Sequence, residues 1–359
     1  MGRRLFLLGI AGGALTACVP RRNLLRVDAV VSRTPQASAG APVYPTIGAA
    51  LAAAPPGDTP YRIRITRGRW HEKLVVDRAG VELIGDDREA CVITFDAAAG
   101  HLAPDGQPWG TWRCASLIVR AANFRARRLT IENAFDYPGH LRLPRLETIG
   151  SNGAQGVALM LDAGADHTWI EDVDLIGHQD TLFVDAGRSL FRHCRIRGSV
   201  DFVFGAGQAW FERCELVSRY RHGKERQGYV AVPSTLATQQ HGLVFHRCHL
   251  GKEAAVPGGS VALGRPWRPT RTFADGRYGD PAVQGAATFL ECSMDDHIDS
   301  AGWDAMAYTA RDGSRVLFQP ADARLTEFRS RGAGAAVTPT RPQLAEAAAA
   351  AFRIEDWMR

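Results

Sequence analysis

A repeated phrase near the middle of the chain limits the folds that it can adopt. Phenylalanine, two variable residues, cysteine, one variable residue and an apolar residue occur at 191–196 and again, 20 residues later, at 211–216. The same phrase returns at 245–250 and 289–294. A period of about 20 residues in strand-rich sequence is typical of a solenoid, in which each repeat forms one turn and stacks on the previous one. Equivalent positions on neighbouring turns are then about 4.8 Å apart.

The rest of the sequence supports this interpretation. Short apolar runs bounded by Gly, Asp or Asn predict strands at 61–66, 73–76, 81–85, 91–95, 116–121, 129–132, 157–162, 169–176, 181–184, 189–196, 202–204, 209–217, 229–232, 243–250 and 288–294. Loops are expected at 134–155, 219–240 and 257–280. No long helical periodicity alternates with the strands, which argues against a doubly wound sheet. We therefore predict a single all-β domain, a single-stranded parallel β-helix, with a helix over 47–54 capped by Thr46 and another over 345–357.

Two carboxylates occupy similar surroundings on consecutive repeats. Asp180 lies in Gly-His-Gln-Asp-Thr-Leu at 177–182, and Asp201 lies 21 residues later in Gly-Ser-Val-Asp-Phe-Val-Phe-Gly at 198–205. Both are expected inside strand-like apolar runs on adjacent rungs. Two carboxylates so close do not both ionise readily, so one tends to keep a proton. The pair therefore suggests an acid and a nucleophile, whereas a single Asp in a solenoid is more simply a turn residue.

Four segments of the chain resemble one enzyme family. They are Ala-Gln-Gly-Val-Ala-Leu around Gln155, the two Asp-containing segments, and Leu-Gly-Arg-Pro-Trp at 263–267. In order and spacing they resemble the signature segments of the pectin methylesterases, over residues 44–357. The resemblance is strongest to the bacterial enzymes, which include a lipoprotein form. It implies a right-handed parallel β-helix, in agreement with the general handedness of parallel crossovers.

The resemblance also implies an activity and its residues. The expected reaction is hydrolysis of galacturonate methyl esters in pectin or its oligogalacturonides, without a cofactor or metal. Asp201 matches the nucleophile that forms a covalent intermediate, and Asp180 matches the general acid that later activates water. Gln155 and Gln179 match the amide donors to the oxyanion. Since Gln179 and Asp180 are adjacent, a regular strand would point them to opposite faces, so the backbone must turn there.

Six further residues are expected to contact the substrate: Arg265, Trp267, Phe204, Val200, Trp303 and Met306. Arg265 should form a forked ion pair that favours ionised Asp201. The tryptophans offer flat faces for sugar rings, although packing alone is the alternative for both. His178 and Phe183 depart from the family pattern, in which tyrosine is common at each position.

The N-terminus predicts export and lipidation. Residues 1–17 combine Arg3 and Arg4 with an apolar stretch and read as a signal peptide, by the general or the twin-arginine route. Leu-Thr-Ala-Cys at 15–18 resembles a lipobox, in which Cys18 is acylated. We expect a tether over 18–43, the enzyme domain over 44–359, and an anchor in the outer membrane of a bacterial envelope.

Charge and cysteine content add two expectations. The formal charge is +5, or +3 once Arg3 and Arg4 are removed, and no basic run with interleaved aromatics indicates nucleic-acid binding. We expect a monomer. Export permits disulfides, and the rung spacing suits a Cys194–Cys214 bridge. The alternative is a column of free buried thiols, which we prefer for Cys248 and Cys292.

Other interpretations remain open at this stage. A β-helix polysaccharide lyase would share the fold and would be expected to need calcium. An envelope lipoprotein that only binds acidic polysaccharide would not require the set of two Gln, two Asp and Arg265. His246, Cys248 and His249 superficially resemble metal ligands, but no second cluster accompanies them.

Overall fold

The computed structural model describes Gly2 and residues 26–34, 40–142 and 153–358. The predicted signal peptide beyond Gly2, Cys18 and part of the predicted tether lie outside the described residues.

Nearly all regular structure in the described segments is β. The strands of the first half are β1 Ala29–Val31, β2 Val43–Tyr44, β3 Tyr61–Ile65, β4 Gly68–His71, β5 Leu74–Val76, β6 Val81–Gly85, β7 Cys91–Phe95, β8 Leu117–Val119, β9 Arg125–Asn133, β10 Leu159–Leu161, β11 Thr168–Ile176, β12 Leu182–Val184, β13 Arg188–Arg192 and β14 Arg195–Gly198. Those of the second half are β15 Val203–Gly205, β16 Gln208–Glu212, β17 Glu215–Ser218, β18 Gly228–Pro233, β19 Leu243–His246, β20 His249–Lys252, β21 Val261–Gly264, β22 Thr270–Phe273, β23 Gly276–Gly279, β24 Ala286–Leu290, β25 Ser293–Met294, β26 Met306–Thr309, β27 Arg315–Phe318 and β28 Arg324–Phe328. The helices are α1 Ile47–Ala52, α2 Tyr137–Arg142, α3 Glu346–Ala349 and α4 Ile354–Trp357, with a single 3-10 turn at Pro320–Asp322.

The strands form the predicted parallel β-helix. A 17-stranded parallel sheet bends around two sides of the solenoid, and β9 and β11 run across its bend. A seven-stranded parallel sheet, in the order β5-β8-β10-β12-β15-β18-β21, closes the third side. Two antiparallel hairpins, β22–β23 and β26–β27, project from the body. The single all-β solenoid predicted from the repeat is thereby confirmed.

The phenylalanines of the repeated phrase form a stack inside the solenoid. Consecutive rings from Phe191 to Phe211, Phe245 and Phe289 are nearly parallel, with centroids 4.8, 4.6 and 4.5 Å apart. The spacing is that of paired strands, because in-register neighbours place identical side chains directly over one another. All four rings are fully buried, which explains why the phrase recurs with an invariant aromatic position.

The residue before each cysteine of the phrase turns the chain. His193, Arg213, Arg247 and Glu291 have φ between 51° and 54°, in the left-handed region. Each therefore bends the backbone where two faces of the solenoid meet. The predicted continuous strands at 189–196, 209–217, 243–250 and 288–294 are for this reason pairs of shorter strands.

The cysteines that follow these corners are free thiols, so the predicted Cys194–Cys214 disulfide is wrong. Cys194, Cys214, Cys248 and Cys292 are all buried and unbridged. Each sulfur donates to the carbonyl of the residue at the phenylalanine position one rung earlier, at 3.3–3.5 Å. The cysteines of this column are therefore small buried residues whose thiols act as weak hydrogen-bond donors. Free buried thiols are the arrangement that was expected for Cys248 and Cys292.

Four segments also differ from the predictions. The interpretation of residues 18–43 as a tether is wrong for Ala29–Val31, which form a buried strand paired with β3. The loops expected at 134–155 and 257–280 contain α2 and the β22–β23 hairpin. The C-terminal helix is two short helices, because the backbone at Arg353 between them is extended.

Both ends of the solenoid are covered. Thr46 caps α1 as predicted, and the Glu72 carboxylate accepts from the first two backbone N–H groups of that helix. At the other end, the buried Arg341 guanidinium forms a two-point ion pair with Glu327 of the last strand. Covering the ends removes exposed strand edges, which are otherwise sites of aggregation. None of the helices within the described ranges is long and apolar enough to cross a membrane.

The thiol column makes a direct prediction. Alkylation without reductant should label Cys194 and Cys214 fully after unfolding in denaturant, and leave both nearly unlabelled in the folded protein, because both thiols are buried. Peptide mapping by mass spectrometry provides the measurement. Recovery of a linked peptide containing both residues would contradict the structure.

Candidate active site

Asp180 and Asp201 lie in turns immediately before strands of the seven-stranded sheet. Their φ angles are 63° and 52°, so both backbones are left-handed and neither residue lies inside a strand as expected. Leu182 pairs with Val203, which places the two aspartates in register on adjacent rungs, about 4.8 Å apart. The turn also resolves the problem of the adjacent Gln179 and Asp180, because the alternation of a strand does not apply there.

Close packing at Gly198 holds the second turn. A Cβ at this position would lie 2.2 Å from Cβ of Phe202 and 2.6 Å from the Thr181 hydroxyl. Any side chain would therefore displace the segment that carries Asp201. The Val200 carbonyl in the same turn accepts the Asp180 backbone N–H at 2.9 Å and links the two turns.

Asp201 is held by a forked ion pair. Arg265, which follows β21, donates from Nε and from a terminal nitrogen to the two carboxylate oxygens at 3.0 and 2.6 Å. Beneath it, the Tyr229 ring lies 3.9 Å from the guanidinium carbon, and the Tyr229 hydroxyl bonds Asp304 at 3.4 Å. Burial lowers the pKa of Arg265, but the charge of Asp201 more than offsets this and the net shift is upward. The predicted Arg265–Asp201 pair is present.

Asp180 has very different surroundings. It is buried, and no residue in the described part of the chain donates a side-chain hydrogen bond to its carboxyl group. Burial raises the pKa of Asp180 well above its usual range, and the neighbouring Asp201 raises it further, while Arg265 opposes both. One carboxyl group is therefore paired and the other favours its protonated form.

Gln155 and Gln179 approach the pair from two rungs. The Gly156 N–H bonds the Gln179 carbonyl at 3.0 Å, so the two segments are directly linked. Leu159 pairs with Leu182, which makes the repeat 23 residues here and aligns Gln155 with His178 rather than with Gln179. Both side chains are partly exposed, and neither amide nitrogen donates to another described residue. These donors are therefore available to a ligand.

His178 packs against α2 as a neutral ring. It stacks on Tyr137 with centroids 4.9 Å apart, and its Nδ1 is buried without a partner. Burial lowers the pKa of His178 to about 3, with further lowering from Arg219, Arg221 and Arg197. It therefore carries no charge near neutral pH and supports the Gln179–Asp180 turn by packing.

Four buried residues on the outer face of the seven-stranded sheet form an apolar floor beside the aspartates. In-register positions place Met160, Phe183, Phe204 and Val232 in one row. Phe183 and Phe204 stack at 4.2 Å, and the Trp267 ring lies 5.9 Å from Phe204. Trp267 and Met306 are partly exposed at the edge of this row. Phe204 and Trp267, both predicted, thus lie together next to the carboxyl pair.

Trp303 does not belong to this surface. It is 6% exposed and packs in the solenoid core, with its ring 5.8 Å from Phe289. The alternative of simple packing therefore describes it better. Val200 is also buried and contributes its carbonyl to the turn.

Two residues of the site were not predicted. The Tyr229 ring packs against the Arg265 guanidinium. Tyr229 lies two residues before Ala231, which pairs with Val203, and the sequence around it did not indicate this role. Trp112, in the irregular segment before β8, contacts both Phe183 and Trp267. Its place in a segment rich in Gly and Trp could have drawn attention to it.

The histidines near Cys248 have other partners. His246 bonds Glu212 at 2.7 Å and His249 bonds Ser293 at 3.0 Å, while the Cys248 thiol points into the core. Within the described ranges, no three His, Cys, Asp or Glu residues are grouped to hold a metal ion.

Comparisons with known proteins agree with this geometry. The family model described as pectinesterase matches residues 33–339. Pectinesterase A of Dickeya chrysanthemi is 42% identical over 338 residues, covering 92% of this chain and 91% of its own length.

Solved structures give the same result. Pectin methylesterase PemA from Erwinia chrysanthemi superposes with a TM-score of 0.88 at 41% identity, covering 93% of this chain and 97% of that one. A pectin methylesterase in complex with a hexasaccharide has a TM-score of 0.89 at 40% identity, with the same coverage. On these grounds, and with the two aspartates, Arg265 and the aromatic floor in place, the chain belongs to the pectinesterase family and is a carboxylic ester hydrolase.

Proposed function

We propose that this protein hydrolyses galacturonate methyl esters of pectin with Asp201 as nucleophile and Asp180 as general acid and base. The observation that supports this assignment most strongly is the asymmetry of the pair. Arg265 binds both oxygens of Asp201, whereas burial and the charge of Asp201 raise the pKa of Asp180. A carboxylate nucleophile beside a protonated acid is what ester cleavage requires at near-neutral pH.

In the first half-reaction, an Asp201 oxygen attacks the ester carbonyl carbon and the carbonyl electrons move to its oxygen. The amide groups of Gln155 and Gln179 donate to this oxyanion, a type of interaction that typically contributes about 100- to 1000-fold in rate per donor. The tetrahedral intermediate collapses, the bond to the methoxy oxygen breaks, and Asp180 protonates that oxygen. Methanol leaves, and the galacturonyl group remains on Asp201 as an anhydride.

In the second half-reaction, Asp180 is ionised and acts as the base. It removes a proton from a water molecule, whose oxygen attacks the carbonyl carbon of the anhydride. The bond to Asp201 breaks, which restores its carboxylate and releases the free galacturonate acid group. Asp180 then holds the proton needed for the next cycle.

The cleft supports a polymeric or oligomeric substrate. The partly exposed Trp267 ring packs on the buried Phe204 and offers an aromatic face at the edge of the floor. Pyranose rings have apolar faces that pack well on aromatic side chains. A pectin methylesterase relative was solved with a hexasaccharide. We propose that methyl-esterified pectin or its oligogalacturonides bind across the same face here.

The two aspartates should respond differently to substitution. Asp201→Asn should lower methanol release from highly esterified pectin by about a thousandfold or more, because the nucleophile is lost. Asp180→Asn should lower it by about 100- to 10,000-fold and should affect a methyl ester more than an activated aryl ester, whose leaving group needs no proton. Methanol release and ester hydrolysis rates provide the measurements.

Asp172→Asn is the matched control. Asp172 has a φ of 54° and pairs with Arg88, on the other side of the solenoid. Its substitution should leave activity unchanged. Substantial activity in Asp201→Asn, or equal losses on both esters in Asp180→Asn, would overturn the assignment. Calcium-dependent formation of unsaturated sugar products by the wild type would instead indicate a lyase.

We also propose that acylated Cys18 anchors the protein, as a monomer, in the outer membrane of a bacterial envelope. Several acyl chains hold a protein stably, whereas one chain binds only marginally. Cys18→Ala should leave unprocessed precursor, abolish incorporation of labelled fatty acid and move the protein out of the outer-membrane fraction. Identical fractionation of both proteins, with no label in either, would contradict the anchor.

A further inference from the structure

Trp112 stands out among the aromatic residues of the cleft because it is exposed. The side chain is 41% exposed, although it contacts two buried or half-buried rings. Its ring meets Phe183 edge-on at 5.3 Å and tilts toward Trp267 at 6.2 Å. Phe183 belongs to β12 and Trp267 follows β21, so Trp112 reaches from the segment before β8 across several rungs. It thereby extends the aromatic surface that Trp267 begins.

The ring of Trp112 is fixed in place. The indole N–H is its one donor, and its interaction with the Asp185 carboxyl group, just after β12, lowers the pKa of that group. Burial raises the pKa of Asp185, and Arg271 and this interaction oppose the shift. The chain on the other side is held as well, because the N–H groups of Arg113 and Cys114 both bond the Gly110 carbonyl. An immobilised indole loses little further entropy on binding a ligand.

We propose that Trp112 is a substrate-contacting residue that favours a methyl-esterified galacturonate unit beside the reacting one. This inference rests on the proposed function and specifies its substrate. The accessible surface here is formed by the Trp112 and Trp267 rings over the buried Phe183. Arg271, a cation near it, interacts with the Asp185 carboxyl group. A free carboxylate would be desolvated there without compensation, whereas a methyl ester would not. The part of this large apolar ring that remains exposed is explained by such a contact.

Substitution of Trp112 should therefore raise KM and leave kcat nearly unchanged. Trp112→Ala should raise KM for highly esterified pectin about three- to tenfold, the size of a lost aromatic contact. The increase for sparsely esterified pectin should be smaller. Trp112→Phe should recover part of the effect. Hydrolysis of a small aryl ester, which lacks sugar rings, should be unaffected.

Asp185 supplies a second test as a positioning residue. Asp185→Ala should raise KM less than Trp112→Ala, and Asp185→Asn should resemble the wild type because its amide oxygen still accepts the indole N–H. The double variant Trp112→Ala/Asp185→Ala should match Trp112→Ala alone, because the carboxyl group acts through the ring. Additive effects would contradict this relation.

Trp169→Ala is the matched control. Trp169 lies on the large sheet, where it contacts Arg192 and Arg125 rather than the cleft. Its KM values should equal those of the wild type, and melting temperatures should verify that every variant is folded. An unchanged KM in folded Trp112→Ala, or an equal increase for sparsely and highly esterified pectin, would overturn the inference.

Binding separates this inference from the proposed function. Calorimetry with a methyl-esterified galacturonate hexamer in the Asp201→Asn background does not depend on turnover. Weaker binding after adding Trp112→Ala supports the contact even if methanol release is absent from the wild type. Failure of the hexamer to bind the Asp201→Asn protein at all, or equal binding with and without Trp112, would reject it.

Discussion

The forked ion pair between Arg265 and Asp201 is the interaction on which the active site depends. A guanidinium and a carboxylate removed from water cost several kcal/mol each, and only close two-point geometry offsets this. Here both distances, 3.0 and 2.6 Å, satisfy that requirement, and the Tyr229 ring covers the remaining face of the guanidinium. The charge thereby fixed on Asp201 is also what disfavours a second charge on Asp180. Burial, together with that charge, raises the pKa of Asp180, so two identical side chains differ in their surroundings and in their proposed roles.

This dependence has a consequence for mutagenesis. Removing one partner of a buried ion pair typically destabilises a protein by about 3–5 kcal/mol, because the other charge is left uncompensated. Loss of activity after truncation of Arg265 would therefore combine a folding defect with a catalytic one. Asp180 has no such partner, since no described residue bonds its carboxyl group. Its substitution reports on chemistry more cleanly.

The solenoid provides the spacing that the pair needs. Adjacent rungs set two equivalent positions about 4.8 Å apart, close enough for strong coupling between carboxyl groups. The left-handed turns at Asp180 and Asp201 then direct both side chains out of the strand alternation and into the cleft. The same left-handed backbone conformation turns the chain at the corners formed by His193 and Arg213, which have no role in the proposed mechanism. The proposed mechanism therefore uses a structural feature of the fold for chemistry at two of its occurrences.

Features that depend on the repeat could be predicted from the sequence. Features that depend on the local backbone conformation could not. The 20-residue repeat predicted the β-helix and the proximity of Asp180 and Asp201, and the family resemblance implied the contact of Arg265 with Asp201. The repeat did not predict the left-handed turns, because Asp, His and Arg at such positions carry no signal comparable to glycine.

Rung spacing also allowed a Cys194–Cys214 disulfide, but it could not show that each thiol already donates to a carbonyl of the preceding rung. The sequence did not decide between packing and substrate contact for Trp303, and it did not point to Trp112, for a related reason. Which tryptophan faces the core is set by chain path through irregular segments, which a periodic pattern does not describe.

The ionisation state of Asp180 tests this account most directly. Infrared difference spectra between the wild-type protein and Asp180→Asn, recorded across a pH series, isolate the carboxyl band of this residue. We predict a protonated carboxyl band that persists well above pH 3.8, the ordinary pKa of an aspartic acid. Because the folded pKa is raised, the band should disappear only at higher pH, together with the loss of methyl ester hydrolysis on the alkaline side. A band that titrates near pH 3.8 would contradict the assignment of Asp180 as the acid.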